Sequence, residues 1–207
     1  MFLKHIIYEY RINKEPSYFY LKEIYSFFLP GMSLNYNSWK KIFLVALGLF
    51  AGTAFCMKWM EGDFIQNGDK FTIIGLELTY PKEMVARILA GLDGSVKMIL
   101  RYHLSFDFAF MAGVYPGIAA LCMMAKEKSD NNFLKKMLFV LAVLQIVAWG
   151  CDIYENVCLL NWIKDPAIGN NFGAYHFIVA VKWIIALTGA LLAIPLALRR
   201  PKLLQIS

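Results

Sequence analysis

The chain has 207 residues, of which 59% are hydrophobic and 17% are charged, and its net charge is +6. This composition is more apolar and less charged than that of soluble domains, so it excludes a soluble globular enzyme and indicates the lipid bilayer as the protein's partner. The basic residues stand in short runs beside apolar segments. The placement of these basic runs therefore indicates how the chain is oriented in the membrane. No nucleic-acid partner is expected.

The first 31 residues differ from the rest: they are rich in Tyr and Phe, carry scattered charges and contain no run long enough to span a membrane. Met32 then opens the stretch MSLNYNSWKKIFLVALGLF, which is typical of a short cytoplasmic start before a membrane helix. Two interpretations stay open. Either Met32 is the true initiator and the extension 1–31 is a gene-model artefact, or this extension forms an amphipathic segment on the inner membrane surface.

Residues 32–207 are expected to form one membrane domain. Four apolar runs are long enough to cross a hydrocarbon core of about 30 Å as helices, and they lie at about 42–60, 99–125, 135–162 and 175–198. The sequence therefore predicts an all-α membrane protein, a bundle of four transmembrane helices.

The loops between these spans differ in charge. The loop 126–136 carries four Lys and two acids, whereas the loop between the third and fourth spans holds only Lys164 and Asp165. Because positive loops stay in the cytoplasm, we expect the loop 126–136 and both termini to be cytoplasmic. The predicted localisation is a multi-pass protein of the cell membrane.

The segment 61–98 is predicted to be an external insertion between the first and second spans. Its stretch DKFTIIGLELTY has β-branched and aromatic residues in partial alternation, which favours a short strand or hairpin. The next stretch, PKEMVARILAGL, predicts an amphipathic helix with Met84, Val85, Ile88, Leu89 and Leu92 on one face. We expect this helix to lie on the outer membrane surface or to cap the bundle.

Small residues recur at four-residue spacing in three of the spans, where they allow close approach of helices. They predict packing seams within the bundle or the face of a homo-oligomer, and they are Gly48, Gly52 and Cys56; Gly113 and Gly117; and Gly189 and Ala193. All four cysteines fall in the spans and are expected to be buried thiols. A disulfide between Cys56 and Cys158 stays open, because the two would lie at similar depth.

The third span contains a polar patch within the stretch AWGCDIYENVC, residues 148–158. Asp152, Glu155 and Asn156 are spaced i, i+3 and i+4, which places them on one face of a helix. A charge at membrane depth costs about 3 kcal/mol or more unless it is paired or hydrated. We therefore expect this face to point into the bundle.

Two other spans bring ionisable residues to the same layer. The second carries His103 and Asp107, and the fourth carries His176 and Lys182. At a rise of about 1.5 Å per residue, Asp107, Asp152 and Lys182 each fall about 10–15 Å from the outer helix ends. We expect Lys182 to pair with Asp152 or Asp107.

The acids outnumber the lysine in this layer, so at least one acid is expected to hold a proton. The candidate ligand- or proton-binding residues are Asp107, Asp152, Glu155, Asn156, Lys182, His103 and His176, with Trp149 and Trp183 as candidate walls of a pocket. No H-x-x-x-H, H-E-x-x-H or E-x-x-H motif is present, so neither a metal nor another cofactor is expected.

Three functions fit this pattern. The layer can bind or transport a proton or a small lipophilic or cationic ligand. It can instead fix helix register in a structural or assembly subunit. It can also belong to a membrane enzyme that acts on a lipid, with Asp152 or Glu155 in acid–base catalysis.

Around DIYEN the chain resembles small bacterial membrane proteins that have an Asp in one membrane helix, Asp-x-x-Glu-Asn in the next and a Lys in the last. The resemblance covers about residues 100–198 and implies no known activity. Four helices with inward carboxylates are also similar to the sterol-isomerase and sigma-2-receptor group, whose members bind cationic amphiphiles through paired acids. That similarity is one of architecture, without a shared motif.

Overall fold

The computed structural model describes residues 35–199, and both the extension 1–31 and the alternative start at Met32 lie outside this part of the chain. It contains five α-helices, which are α1 (Tyr36–Met60), α2 (Lys82–Ala90), α3 (Gly94–Lys128), α4 (Asn132–Lys164) and α5 (Phe172–Leu198). All but α2 are long and apolar enough to cross a membrane. Each of these four contains one predicted span, so the helical fold class with four candidate spans is confirmed.

The ends of the long helices follow from local capping. The side chain of Asp93 accepts a hydrogen bond from the Val96 amide at 2.9 Å and so begins α3. Asn131 begins α4 in the same way, by accepting from the Phe133 amide at 2.8 Å. Each side chain satisfies a backbone donor that has no partner within its helix. The first cap lets α3 begin soon after α2, and the second lets α4 begin soon after α3.

Glycine lets α1 and α3 pack closely. A Cβ atom on Gly113 would lie 2.6 Å from the Phe50 amide nitrogen, and one on Gly189 would lie 2.7 Å from the Gln145 side chain. These glycines therefore lie in packing seams within the chain. Gly48 and Gly52 have no neighbour within 4 Å in the described part of the chain, so a homo-oligomer face there stays a prediction. All four cysteines are free thiols, and no disulfide joins Cys56 to Cys158.

A small two-stranded sheet lies between α1 and α2. Strands β1 (Ile65–Gln66) and β2 (Asp69–Lys70) pair antiparallel around Asn67 and Gly68. Both turn residues have positive φ, 52° and 90°, which suits Asn-Gly in a tight hairpin. The hairpin thus begins earlier than the stretch 69–80 that predicted it.

The expected extended structure does not continue through the rest of that stretch. Residues Gly75–Thr79 form a π-helical turn instead. The Thr72 hydroxyl accepts a hydrogen bond from the Gly75 amide at 2.9 Å, and the Tyr80 amide closes the turn on the Gly75 carbonyl at 2.8 Å. These local hydrogen bonds outweigh the strand preference of the β-branched residues.

The insertion caps one end of the bundle. Phe64, Leu76 and Leu89 are fully buried in one apolar cluster with residues of the long helices, including Leu100 of α3 and Leu159 of α4. The buried face of α2 contains Val85, Ile88 and Leu89. The amphipathic helix α2 therefore caps the bundle, which is one of its two expected positions.

Candidate functional site

The polar face of α4 points into the protein. Asp152 is 4% exposed, and Glu155 and Asn156 are 0% exposed. The i, i+3, i+4 spacing places all three on the side of α4 that meets α3 and α5. Their neighbours come from these two helices and from the insertion.

Lys182 of α5 lies between two of these carboxylates. Its Nζ is 2.5 Å from Glu155 Oε2 and donates a hydrogen bond to Asp152 Oδ1 at 2.8 Å. The Tyr115 hydroxyl of α3 donates to the other oxygen of Asp152 at 2.7 Å. The expected pair of Lys182 with Asp152 is therefore present. We call Tyr115, Asp152, Glu155 and Lys182 the ion-pair core, and it joins three helices.

Asp107 of α3 has a different partner. The side-chain amide of Asn156 donates a hydrogen bond to Asp107 Oδ2 at 2.7 Å and a longer one to the Leu104 carbonyl at 3.4 Å. Asp107 is buried, and among residues 35–199 it forms no ion pair. The alternative pairing of Lys182 with Asp107 is therefore absent, and this carboxyl group has a hydrogen bond but no cation.

The insertion supplies a fourth carboxyl group, which is not among the residues predicted from the sequence. Glu77 is buried, and its Oε2 lies 3.8 Å from Lys182 Nζ. Burial raises the pKa of Glu77 well above its usual range, and Glu155 raises it further, although Lys182 lowers it. One signal could have revealed this residue, namely an acid between Leu76 and Leu78 in an otherwise apolar stretch.

The two histidines lie apart from the ion-pair core. His103 is fully buried against the Phe64 ring, and its Nε2 is 3.9 Å from Glu61 Oε1. His176 packs on Phe172, with ring centroids 4.3 Å apart, and forms no ion pair in the described part of the chain. The structure thus brings together Asp107, Asp152, Glu155, Asn156 and Lys182 but not His176, and it connects His103 to a different acid.

Both predicted wall residues border the ion-pair core. The Trp149 ring stacks on Tyr115 with centroids 6.4 Å apart. The Trp183 ring centroid lies 5.4 Å from Lys182 Nζ, within the range of a cation–π contact. The side chains around the lysine ammonium are therefore carboxylates on one side and an indole on another.

The cluster as a whole holds more acid than base. Glu77, Asp107, Asp152 and Glu155 are all buried, and Lys182 is the one cation beside them among the described residues. Within residues 35–199, no group of three or more His, Cys, Asp or Glu side chains is arranged to hold a metal ion. A cluster of four buried carboxyl groups with one ammonium group is chemically suited to bind protons.

Comparisons with protein-family models, with curated proteins and with solved structures found no match to this chain. The function is therefore argued from the chemistry of the cluster.

Proposed function

We propose that this chain is a multi-pass membrane protein whose buried carboxyl cluster binds a proton, and that Asp107 and Glu77 are the groups that take it up. One observation supports this above all others. The lysine is close to two of the four acids, at 2.5 and 2.8 Å, whereas Glu77 is 3.8 Å away and Asp107 forms no ion pair in the described part of the chain.

The energetic argument follows from burial. A charge at membrane depth costs about 3 kcal/mol or more when it is neither paired nor hydrated. The single positive charge of Lys182 is already fewer than the two negative charges of Asp152 and Glu155. It therefore cannot also neutralise Asp107 and Glu77. A proton on each of these two carboxyl groups removes the cost without any change in packing.

A small organic cation is the weaker candidate ligand. Such a ligand would use carboxylates on one side and an aromatic ring on the other. The Lys182 ammonium already occupies that position, between Asp152, Glu155 and the Trp183 ring. A free amine would have to displace one that is tethered to α5.

The two other functions account for only part of the cluster. Helix registration explains the ion-pair core, which ties α3, α4 and α5 together, and the hydrogen bond from Asn156 to Asp107. It does not require Glu77, which lies in the insertion. Acid–base catalysis by Asp152 needs an available oxygen, and both of its oxygens already accept hydrogen bonds from Lys182 and Tyr115. Glu155, the other candidate, is 0% exposed and so out of contact with a lipid substrate. Proton binding also accounts for Glu77 and for an Asp107 carboxyl group that has no cation partner among the described residues.

The charge of the loops indicates from which side of the membrane protons reach the cluster. The basic loop 126–136 assigns the opposite end of the bundle, with the insertion, to the external side. The cluster then exchanges protons with the outside, and both termini are cytoplasmic.

The test is infrared difference spectroscopy of the protein in lipid nanodiscs during a pH titration. A protonated carboxyl group has a C=O stretching band that its carboxylate lacks. We expect this band to decline in the wild type as pH rises, and Asp107→Asn and Glu77→Gln each to lose part of that signal. Glu83→Gln is the matched control, because Glu83 is an exposed acid in the same insertion. A titration unchanged in both test variants would overturn the proposal.

A further inference from the structure

His103 is a buried polar residue whose partners are unusual. It is 0% exposed, and neither ring nitrogen has a hydrogen-bond partner among the described residues. Most buried polar groups in proteins are hydrogen-bonded, so such a residue requires an explanation. An imidazole can accept a proton on one nitrogen and release one from the other.

On one side of His103 lies a carboxylate that reaches the surface. Glu61 Oε1 is 3.9 Å from His103 Nε2, and the Glu61 side chain is 20% exposed. The other carboxylate oxygen of Glu61 accepts a hydrogen bond at 2.7 Å from Lys58, whose side chain is 82% exposed. Glu61 therefore connects solvent with a fully buried ring.

One turn further along α3 lies Asp107, the carboxyl group that forms no ion pair among residues 35–199. Asp107 follows His103 by four residues in α3, which puts the two side chains on one face, about 6 Å apart along the helix axis. Both are buried. Side chains four residues apart on a helix are neighbours, and polar groups on such a pair can meet directly or through one water molecule.

We propose that Glu61 and His103 form the path by which a proton from the outside reaches Asp107, an inference that rests on the proposed function. The Glu61 carboxylate takes a proton from water and passes it to Nε2 of the neutral imidazole. The ring then releases the proton on Nδ1 to the Asp107 carboxylate, which becomes a carboxylic acid. The ring then carries its proton on Nε2, and tautomerisation, which moves this proton to Nδ1, returns Glu61 and His103 to their starting states.

The groups that face His103 define the step. Glu61 precedes the hairpin, Phe64 contributes an apolar ring at 5.2 Å between centroids, and Asp107 lies one turn along α3. Lys58 is paired with the second oxygen of the Glu61 carboxylate. His176 is the matched control, since it is a second histidine that packs on an aromatic ring but forms no ion pair with a carboxylate of residues 35–199.

The experiment measures the rate of proton uptake by the full chain in detergent, with a pH-indicator dye in weakly buffered solution after a rapid drop in pH. In His103→Gln we expect uptake at least about tenfold slower than in the wild type, the lower range of losses when a proton-transfer group is removed, and an unchanged final amplitude. Glu61→Gln should slow uptake in the same direction, and His176→Gln should leave the rate unchanged. Added imidazole should restore the rate of His103→Ala.

The outcomes separate the two proposals. If the wild type takes up no proton, the proposed function fails. If it takes up protons and His103→Gln does so at the same rate, only the path is wrong. Should His103→Gln fail to fold, Glu61→Gln decides, because that residue lies at the surface end, and a wild-type rate in this variant would overturn the path.

Discussion

Replacing Lys182 with Met is expected to destabilise the protein more than replacing either of its acidic partners. The Lys182 ammonium is the shared cation of Asp152 and Glu155, whose side chains are 5% and 0% exposed. Without it, two carboxylates face each other in a low dielectric. Breaking a buried ion pair by removing one partner typically costs about 3–5 kcal/mol.

Removing one acid should cost much less. In Asp152→Asn the lysine keeps Glu155 at 2.5 Å. The new amide oxygen can still accept the hydrogen bond from Tyr115. The variant also has one negative charge fewer in a cluster that has too many. We expect a loss of about 1 kcal/mol, the scale of one hydrogen bond.

The assay is the free energy of unfolding in detergent micelles, followed by tryptophan fluorescence during titration with a denaturing detergent. Lys58→Met is the control, because Lys58 is mostly exposed and its pair with Glu61 is a surface salt bridge of little value. Lower pH should narrow the gap between Lys182→Met and the wild type, since protonation removes the unpaired charges. Equal stability of Lys182→Met and Asp152→Asn would refute the reasoning.

Three further predictions follow from the fold and the cluster. The pKa of Glu77 is raised above its ordinary 4.5 in the folded protein, so the free energy of unfolding should fall as pH rises from that value. It should fall less steeply with pH in Glu77→Gln than in Glu83→Gln, and the two slopes should differ by up to about 1.4 kcal/mol per pH unit. Gly113→Ala should destabilise by about 1–3 kcal/mol, because the new Cβ meets the α1 backbone, whereas Gly48→Ala should be neutral or stabilising in the same unfolding assay. A cysteine at position Ala167 in an otherwise cysteine-free chain should react with an impermeant maleimide in intact cells but not in inside-out vesicles.

The spans and the polar face of α4 could be predicted from sequence because each depends on local information. A long apolar run is sufficient to identify a helix that can span the bilayer. The spacing of Asp152, Glu155 and Asn156 is sufficient to put them on one face. The cost of a charge in the bilayer then turns that face inward. No contact between helices had to be known for these steps.

The partners of that face depend on tertiary structure and were harder to predict. Lys182 had two candidate acids at similar depth, and helix rotation decides between them. Glu77 lies in a stretch whose β-branched residues favoured a strand, so its position on a π-helical turn was hidden. Tyr115 lies eight residues after Asp107, and this spacing on α3 places it on the same face. Because Tyr115 lies deeper in the bundle than the other polar residues, it was not predicted to belong to the cluster.

The closure of the cluster separates the candidate ligands by size. Each of its ionisable groups is at most 8% exposed, and the insertion covers this end of the bundle through Phe64, Leu76 and Leu89. A lipid or an organic cation that entered from this end would have to open these apolar contacts, which would expose side chains whose burial is worth about 1.5–3 kcal/mol each. A proton needs neither volume nor an open lid. It needs a chain of polar groups from the surface, and Glu61 and His103 are placed to begin one.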